Sequence, residues 1–321
     1  MPRVVRVTRT GGPEVLELAE ESAGGPGDSE LLVDTDAAGV NFIDTYHRSG
    51  AYPLDLPFVA GMEGAGTVRA VGGEVSAFAP GDRVAWAGVQ GSYAEQVRVP
   101  AAEAVPVPDA VDSRTAAALM LQGMTAHYLV ASVHPVSAGE TVLVHAGAGG
   151  VGLLLIQLAK ARGATVVTTV STPDKERLAT RAGADVVVGY PDFDSRVRTL
   201  TDGAGADVVY DGVGRATFDG SLAAVRRRGT VALFGAASGP VEPVDPQRLN
   251  SAGSVFLTRP KLADYLATRD ELEWRAGELF DAVARGAVTV RIGGTYSLSD
   301  AARAHEDLEG RRTTGKLLLV P

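Results

Sequence analysis

From Glu140 to Thr258 the chain alternates strand-like and helix-like segments, and that alternation restricts the fold more than any other feature of the sequence. Strand-like runs fall at Thr141–His145, Thr165–Val170, Val186–Val188, Asp207–Asp211, Thr230–Phe234 and Ser254–Thr258. The segments Val151–Arg162, Pro173–Ala182, Phe193–Thr201 and Ala216–Arg227 between them carry helical patterning. Strands joined mostly by helices imply a doubly wound α/β architecture, a parallel sheet covered on both faces. The runs VLVHA, TVVTTV and ADVVYD suit it, being continuously apolar or β-branched as strands buried on both faces must be.

The flanking stretches have another rhythm. From residue 3 to about 108, short β-type runs at Arg3–Val7, Glu30–Asp36, Thr67–Val71, Asp82–Trp86 and Tyr93–Val99 are separated by Gly/Pro clusters, as in an all-β, turn-rich module. A long helical segment, Ser113–Ser132, follows; Asp112 or Ser113 is placed to cap it. The last stretch carries helices at Leu262–Arg285 and Ser299–Leu308 and a final strand at Lys316–Val320. A single strand cannot stand alone, so it is expected to return to the N-terminal β module and make that domain discontinuous in sequence.

Composition removes several classes of function. The chain has no cysteine, which excludes disulfides, thiolate nucleophiles and every zinc site that needs a Cys ligand. Its 30 Lys+Arg against 39 Asp+Glu, a net charge of −9, offer no electrostatic footprint for nucleic acid or an anionic membrane. The N-terminus lacks the pattern of a secretory signal, and no apolar run is read as a membrane span, so a cytoplasmic enzyme is expected.

The segment GAGGVG at 147–152 has the G-x-G-x-x-G spacing. The string is weak alone, but here it leaves the strand TVLVHA and opens the helix VGLLLIQLAKARG, the context that dinucleotide binding requires. Gly147 permits a tight turn, Gly149 and Gly150 let backbone amides approach a pyrophosphate, and Gly152 allows helix and strand to pack closely, with Ala148 and Val151 completing the loop. The phosphates then meet the unpaired N–H groups at the positive end of the helix. The next strand ends in TTVST, where an NAD site usually ends in a carboxylate that accepts from the ribose 2′-hydroxyl. Ser171 and Thr172 replace the acid, and Lys175 and Arg177 follow, so cations that attract a 2′-phosphate are present and NADPH is the expected cofactor.

With GVNFIDTYHRSGAYP (39–53), HAGAGGVGLLLIQLAKARGA (145–164), VVYDGVGR (208–215), FLTRP (256–260) and the C-terminal GKLLLVP, the whole chain resembles the zinc-independent quinone oxidoreductases of the medium-chain dehydrogenase/reductase superfamily, the zeta-crystallin group. The resemblance implies a GroES-like β-rich catalytic domain at 1–123 and 259–321, interrupted by a Rossmann domain with a six-stranded parallel sheet at 124–258. It also implies NADPH in the cleft between them and a homodimer. In that family Tyr46 contacts the cofactor and orients or protonates the substrate, and Asn41 bonds near the nicotinamide or the acceptor oxygen, with Tyr52 nearby. Thr125 matches a position near the nicotinamide ribose, and Tyr190 one that flanks the 2′-phosphate. Phe234, Gly235, Phe256 and Leu257 match segments bordering the nicotinamide, with Rossmann core as the other reading of Phe256. Lys316 is expected to reach a phosphate. Many relatives carry a lysine where this chain has Gln122.

Zinc-dependent relatives place a Cys near 39–46 and a His just before the Glu of G-x-E, where this chain has Asn41, Asp44 and Met62. His145 and His305 are read as structural. Without a Lewis acid the substrate must already accept hydride readily, as a quinone or conjugated enone does, by hydride or one-electron transfer. An alkene or enoyl-thioester reductase of the same fold, or a protein of crystallin or RNA-binding type that holds NADPH without turnover, is the alternative. Replacing Lys175 with Glu is expected to raise KM for NADPH far more than KM for NADH in initial-rate kinetics; an equal effect on both would remove the 2′-phosphate assignment.

Overall fold

The computed structural model describes all 321 residues, in two compact units. Met1–Met124, Leu266–Gly286 and Val290–Pro321 form the first, and Thr125–Tyr265 with Ala287–Thr289 the second.

The first unit is organised on the 11-residue strand Glu30–Val40, long enough to pair with three others. Glu63–Val71, Gln96–Pro100 and the C-terminal Lys316–Val320 all run antiparallel to it, the last setting Leu317 opposite Val40 and Leu319 opposite Ala38. The final strand therefore returns to the N-terminal β module. Leu317 and Leu319 fill a core with Val5, Val7, Val40, Leu298 and Ala301, so the end of the chain closes a layer begun by its start. A second core beneath the same sheet gathers Leu31, Val33, Val84, Trp86 and Val99.

Three readings from periodicity differ from the structure in and beside this unit. Phe42–Ser49 is a helix capped by Asn41, with Gly50 in the left-handed conformation that ends it. Ile292–Ser297 is a strand parallel to Lys316–Val320, largely exposed and carrying two glycines, so it lacks an alternating signature. The expected helix Leu262–Arg285 is a short 3-10 turn, Leu262–Tyr265, and a separate helix, Arg269–Ala284, capped by the Thr268 hydroxyl.

The second unit holds six parallel strands in the order Val186–Val188, Thr165–Thr169, Thr141–Val144, Ala206–Asp211, Val225–Leu233, Phe256–Thr258. This is the doubly wound Rossmann order, which reverses between Thr141–Val144 and Ala206–Asp211. Leu143, Val167, Val209 and Val231 line one buried face against Phe193, Val197, Phe218 and Leu222 from the covering helices. The helix expected at Ala216–Arg227 stops at Ala224, and the next strand begins at Val225. Arg228 adopts a left-handed φ of 55° and a register shift follows, so the RRR segment bends into the sheet rather than extending the helix.

The run Ser113–Val133 is, by length and composition, apolar enough to cross a membrane, contrary to the expectation that no run is; most of it is buried inside the protein. Its helix is capped by Asp112, whose carboxylate accepts from the Thr115 N–H at 2.9 Å. Leu143 is wholly buried in the second unit, and Leu143→Ala is expected to destabilise it by about 2–5 kcal/mol, read as a lower urea midpoint for that unit's transition.

Candidate functional site

At the carboxyl end of Thr141–Val144 the backbone turns through Ala146, at a left-handed φ of 54°, into the fingerprint loop. The Gly147 N–H donates to the Thr169 carbonyl at 3.0 Å and the Gly149 N–H to the Ala146 carbonyl at 2.9 Å. A Cβ on Gly147 would overlap Thr168 Oγ1, and one on Gly152 would overlap the Ala146 carbonyl, so both glycines are demanded by close approach. Ala148 is buried, and Gly149 caps the helix Gly150–Ala161 without a side chain. The first-turn amides of Gly150, Val151 and Gly152 thus have no side-chain cap and sit where helices bind anions. The cradle fits a dinucleotide pyrophosphate.

A hydrogen-bond chain of fixed direction supports this loop. The Ala146 N–H donates to Thr169 Oγ1 at 3.2 Å, and Asp211 Oδ2 accepts from the Ser221 hydroxyl at 2.8 Å. His145 lies between, Nδ1 at 3.0 Å from Thr169 Oγ1 and Nε2 at 3.0 Å from Ser221 Oγ. Since Ser221 spends its proton on the carboxylate, His145 donates through Nε2 and accepts through Nδ1. Burial holds its pKa down at about 4, so the ring stays neutral, against the opposing pull of Asp211. The other Asp211 oxygen accepts from the Val213 and Gly214 amides, both at 2.9 Å, shaping the turn that faces Phe234 and Gly235.

Beyond the end of the neighbouring strand Thr165–Thr169, the Lys175 ammonium lies 3.4 Å from the Ser171 hydroxyl at the surface of the unit. Thr172 caps the helix that carries Lys175. Arg177 is turned onto Asp174 and stands apart from this pair. The Tyr190 ring stacks on His145 at 6.4 Å between centroids, which ties it to the same edge of the sheet. Thr125 is buried, and Leu257 packs against the Rossmann core. Phe256 is 65% exposed, so the core reading of that side chain does not hold.

In the first unit, Tyr46 sits half-buried on the helix Phe42–Ser49, its ring edge-on to Tyr52 at 5.1 Å. The N-terminus of that helix is anchored in a buried polar cluster. Asn41 donates its backbone N–H to Asp44 Oδ2 at 2.8 Å and its side-chain amide to Glu63 Oε2 at 2.8 Å, and its oxygen accepts from the Lys316 ammonium at 2.7 Å. Lys316 also pairs with Glu63, whose second oxygen accepts from the Leu121 N–H at 2.6 Å. Asp44 Oδ2 further accepts from the Tyr93 hydroxyl at 2.8 Å, and His305 lies 3.2 Å from the same hydroxyl.

Two expectations are corrected here. Lys316 is 1% exposed with its ammonium committed to Asn41 and Glu63, so it is not available to a phosphate. Asn41 is 2% exposed with its amide protons and oxygen all engaged inside the unit, so it acts on the helix rather than on a substrate oxygen. Asp44, Glu63 and Tyr93 were not foreseen as site residues. The spacing Asn41-x-x-Asp44 is a capping-box pattern and was the one local signal that could have revealed the helix.

Two family models match the chain, one described as an alcohol dehydrogenase GroES-like domain over residues 27–109 and one as a zinc-binding dehydrogenase over 150–273. A quinone oxidoreductase of Pseudomonas aeruginosa is 45% identical over the full length of both chains. The chain belongs to the quinone oxidoreductase family. Within this quinone oxidoreductase family, the Escherichia coli enzyme solved with NADPH is 42% identical over both full chains at a TM-score of 0.98. A mycobacterial protein solved with NADPH is 56% identical, covering 99% of this chain and all of that one, also at 0.98. The second model's description implies zinc, but the donors present do not fit it. Asn41, Asp44 and Met62 stand at the ligand positions, no three His, Cys, Asp or Glu side chains are arranged around a common point, and Asn41 and Glu63 already hold an ammonium.

Burial raises the pKa of Asp44 from 3.8 to about 7, against the opposing hydrogen bonds from Tyr93 and the Asn41 N–H. A carboxyl whose pKa is raised in the fold contributes stability that is complete below about pH 4 and is lost as pH rises to about 7. Asp44→Asn does not titrate, so its Tm relative to wild type is expected to rise between about pH 4 and 7 and to level off above, measured by calorimetry across that range. A Tm difference independent of pH would show that Asp44 is ionised throughout.

Proposed function

We propose that this protein is a zinc-independent, NADPH-dependent reductase of quinones. The observation that carries the reading is the Lys175 ammonium beside the Ser171 hydroxyl, at the end of the strand next to the fingerprint strand, where an NAD site would hold a carboxylate. The NADPH-bound relatives support the same cofactor. The quinone oxidoreductase names of full-length relatives support the substrate class.

When bound, NADPH supplies the hydride. The first-turn amides of Gly150, Val151 and Gly152 would hold the pyrophosphate at the helix start, with Gly149 and the buried Ala148 shaping the loop before it. Ser171 and Lys175 would hold the 2′-phosphate with Tyr190 alongside, and Thr125, Phe234 and Gly235 would complete the cofactor site, whereas Leu257 is engaged in the Rossmann core and Phe256 lies on the exposed edge strand. Tyr46 orients the acceptor and offers its hydroxyl proton as charge develops on the acceptor oxygen, while Asn41 fixes the helix that carries Tyr46. A quinone suits such a site because it takes up hydride without prior polarisation by a metal.

Residues 1–123 and 259–321 are assigned as the catalytic domain and 124–258 as the cofactor domain, a division that agrees with the two compact units except at Met124, which falls with the first unit, and at 259–265 and 287–289, which fall with the second. The strand Phe256–Thr258 ends the parallel sheet with Phe256 exposed, which supports a homodimer paired along that edge. The cytoplasm, with its pool of reduced nicotinamide, is the compartment assigned, with no nucleic acid or membrane as partner.

The test is NADPH oxidation with 1,2-quinones, 1,4-quinones and simple enones. Quinone-dependent oxidation well above that with enones is the expected result. Preference for enones would favour an alkene reductase, and no acceptor-dependent oxidation would favour a protein that binds NADPH without turnover.

A further inference from the structure

A lysine buried to 1% exposure beside a carboxylate buried to 0% is a costly arrangement, and here it is built with care. Lys316 opens the last strand, one residue before the Leu317–Val40 pair, so its side chain meets Asn41 at the point where the sheet passes into the helix Phe42–Ser49. Glu63 opens the strand on the other side of Glu30–Val40. Between them lies Gly39, where a Cβ would overlap the Glu63 carboxylate and come within 2.6 Å of Lys316 Cε. The backbone has been cleared of a side chain so that the two charges can meet.

Glu63 reaches further. Its Oε1 accepts from the Leu121 N–H on the helix Ser113–Tyr128, next to Gln122, whose buried side-chain oxygen has no hydrogen-bond partner. One ammonium thus orders two acceptors, Asn41 Oδ1 and Glu63 Oε2, that between them control the start of one helix and a backbone amide of another.

We infer that Lys316 is a positioning residue: an internal ammonium that, through Asn41 and Glu63, fixes the start of the helix Phe42–Ser49 and so the placement of Tyr46. Its place in the reaction rests on the reading of Tyr46 as the substrate-facing group. Its effect on the helix does not. The ammonium orders by charge and hydrogen bonding what a metal ion would order by ligation, but it has no open position for substrate and polarises none. Its contribution is confined to geometry.

The experiment compares Lys316→Met/Glu63→Gln and Glu63→Gln with wild type, all as full-length protein. Removing both charges avoids stranding one of them in the interior, so the double variant is expected to fold, checked by circular dichroism. In Glu63→Gln the Lys316 amine, whose pKa burial already presses down and which no longer has the carboxylate to hold its proton, can become neutral, so no charge is stranded and the fold stays available if that of the double variant does not. NADPH affinity, followed by its fluorescence, should stay within about twofold of wild type, since the fingerprint loop is untouched, while kcat with a 1,4-quinone falls about tenfold or more in the double variant and less in Glu63→Gln. Amide exchange over Phe42–Ser49 should quicken by about tenfold in the double variant with the strands of the second unit unchanged. Wild-type exchange over Phe42–Ser49 in a folded variant lacking the ammonium or the carboxylate would overturn the inference. If wild-type protein turns over no quinone, the proposed function falls, and the exchange measurement still decides the role of Lys316.

Discussion

The ion pair between Lys316 and Glu63 holds together parts of the first unit that the chain keeps far apart. It sits where the C-terminal strand, the long strand Glu30–Val40 and the helix Phe42–Ser49 converge, with both partners removed from solvent. Such a pair is tolerated only when further hydrogen bonds support it, and Asn41 and the Leu121 N–H supply them. Burial presses the Lys316 pKa down while the Glu63 charge opposes it. Gly39 follows from the same requirement, since any side chain there would occupy the volume of the charges.

The second unit depends on a polar path of a different kind. The chain from the Ala146 amide through Thr169, His145 and Ser221 to Asp211 crosses the carboxyl ends of three strands, at the point where the strand order reverses. Each group in it has one role, donor or acceptor, set by the next, and burial keeps the histidine neutral so that no charge disturbs the order. The result is a rigid floor beneath a loop that leads into a helix whose first-turn amides have no side-chain cap. His145 and His305 are both structural, the first as a relay and the second as a neutral ring, its pKa held down at about 3 by burial and by Arg48.

What was legible in the sequence was local. GAGGVG between an apolar strand and an apolar helix specifies a phosphate cradle because all of its parts lie within one βα turn, and Ser171 and Lys175 meet because the lysine in the first turn of a helix reaches back to the residue just before its N-cap, four positions away. Tyr190 could be placed only by family likeness, and its stacking on His145 had no signal in spacing. Lys316 was misread because its partners, Asn41 and Glu63, lie 275 and 253 residues away, and no periodicity reports a contact across such a distance. The strand Ile292–Ser297 was missed for a related reason: it is specified by pairing with Lys316–Val320, not by an apolar face of its own.

The sequence by itself determined the doubly wound cofactor domain, the preference for a 2′-phosphate and the absence of cysteine ligands, since each is a property of residue type and short-range order. The tertiary structure alone decided which polar residues remain available for chemistry. Asn41 and Lys316 read as functional side chains facing a ligand, but folding brings them onto Glu63 and consumes their hydrogen bonds there. A polar group is free to act only if the fold leaves it unpaired, and pairing over such distances is settled when the last strand closes the sheet.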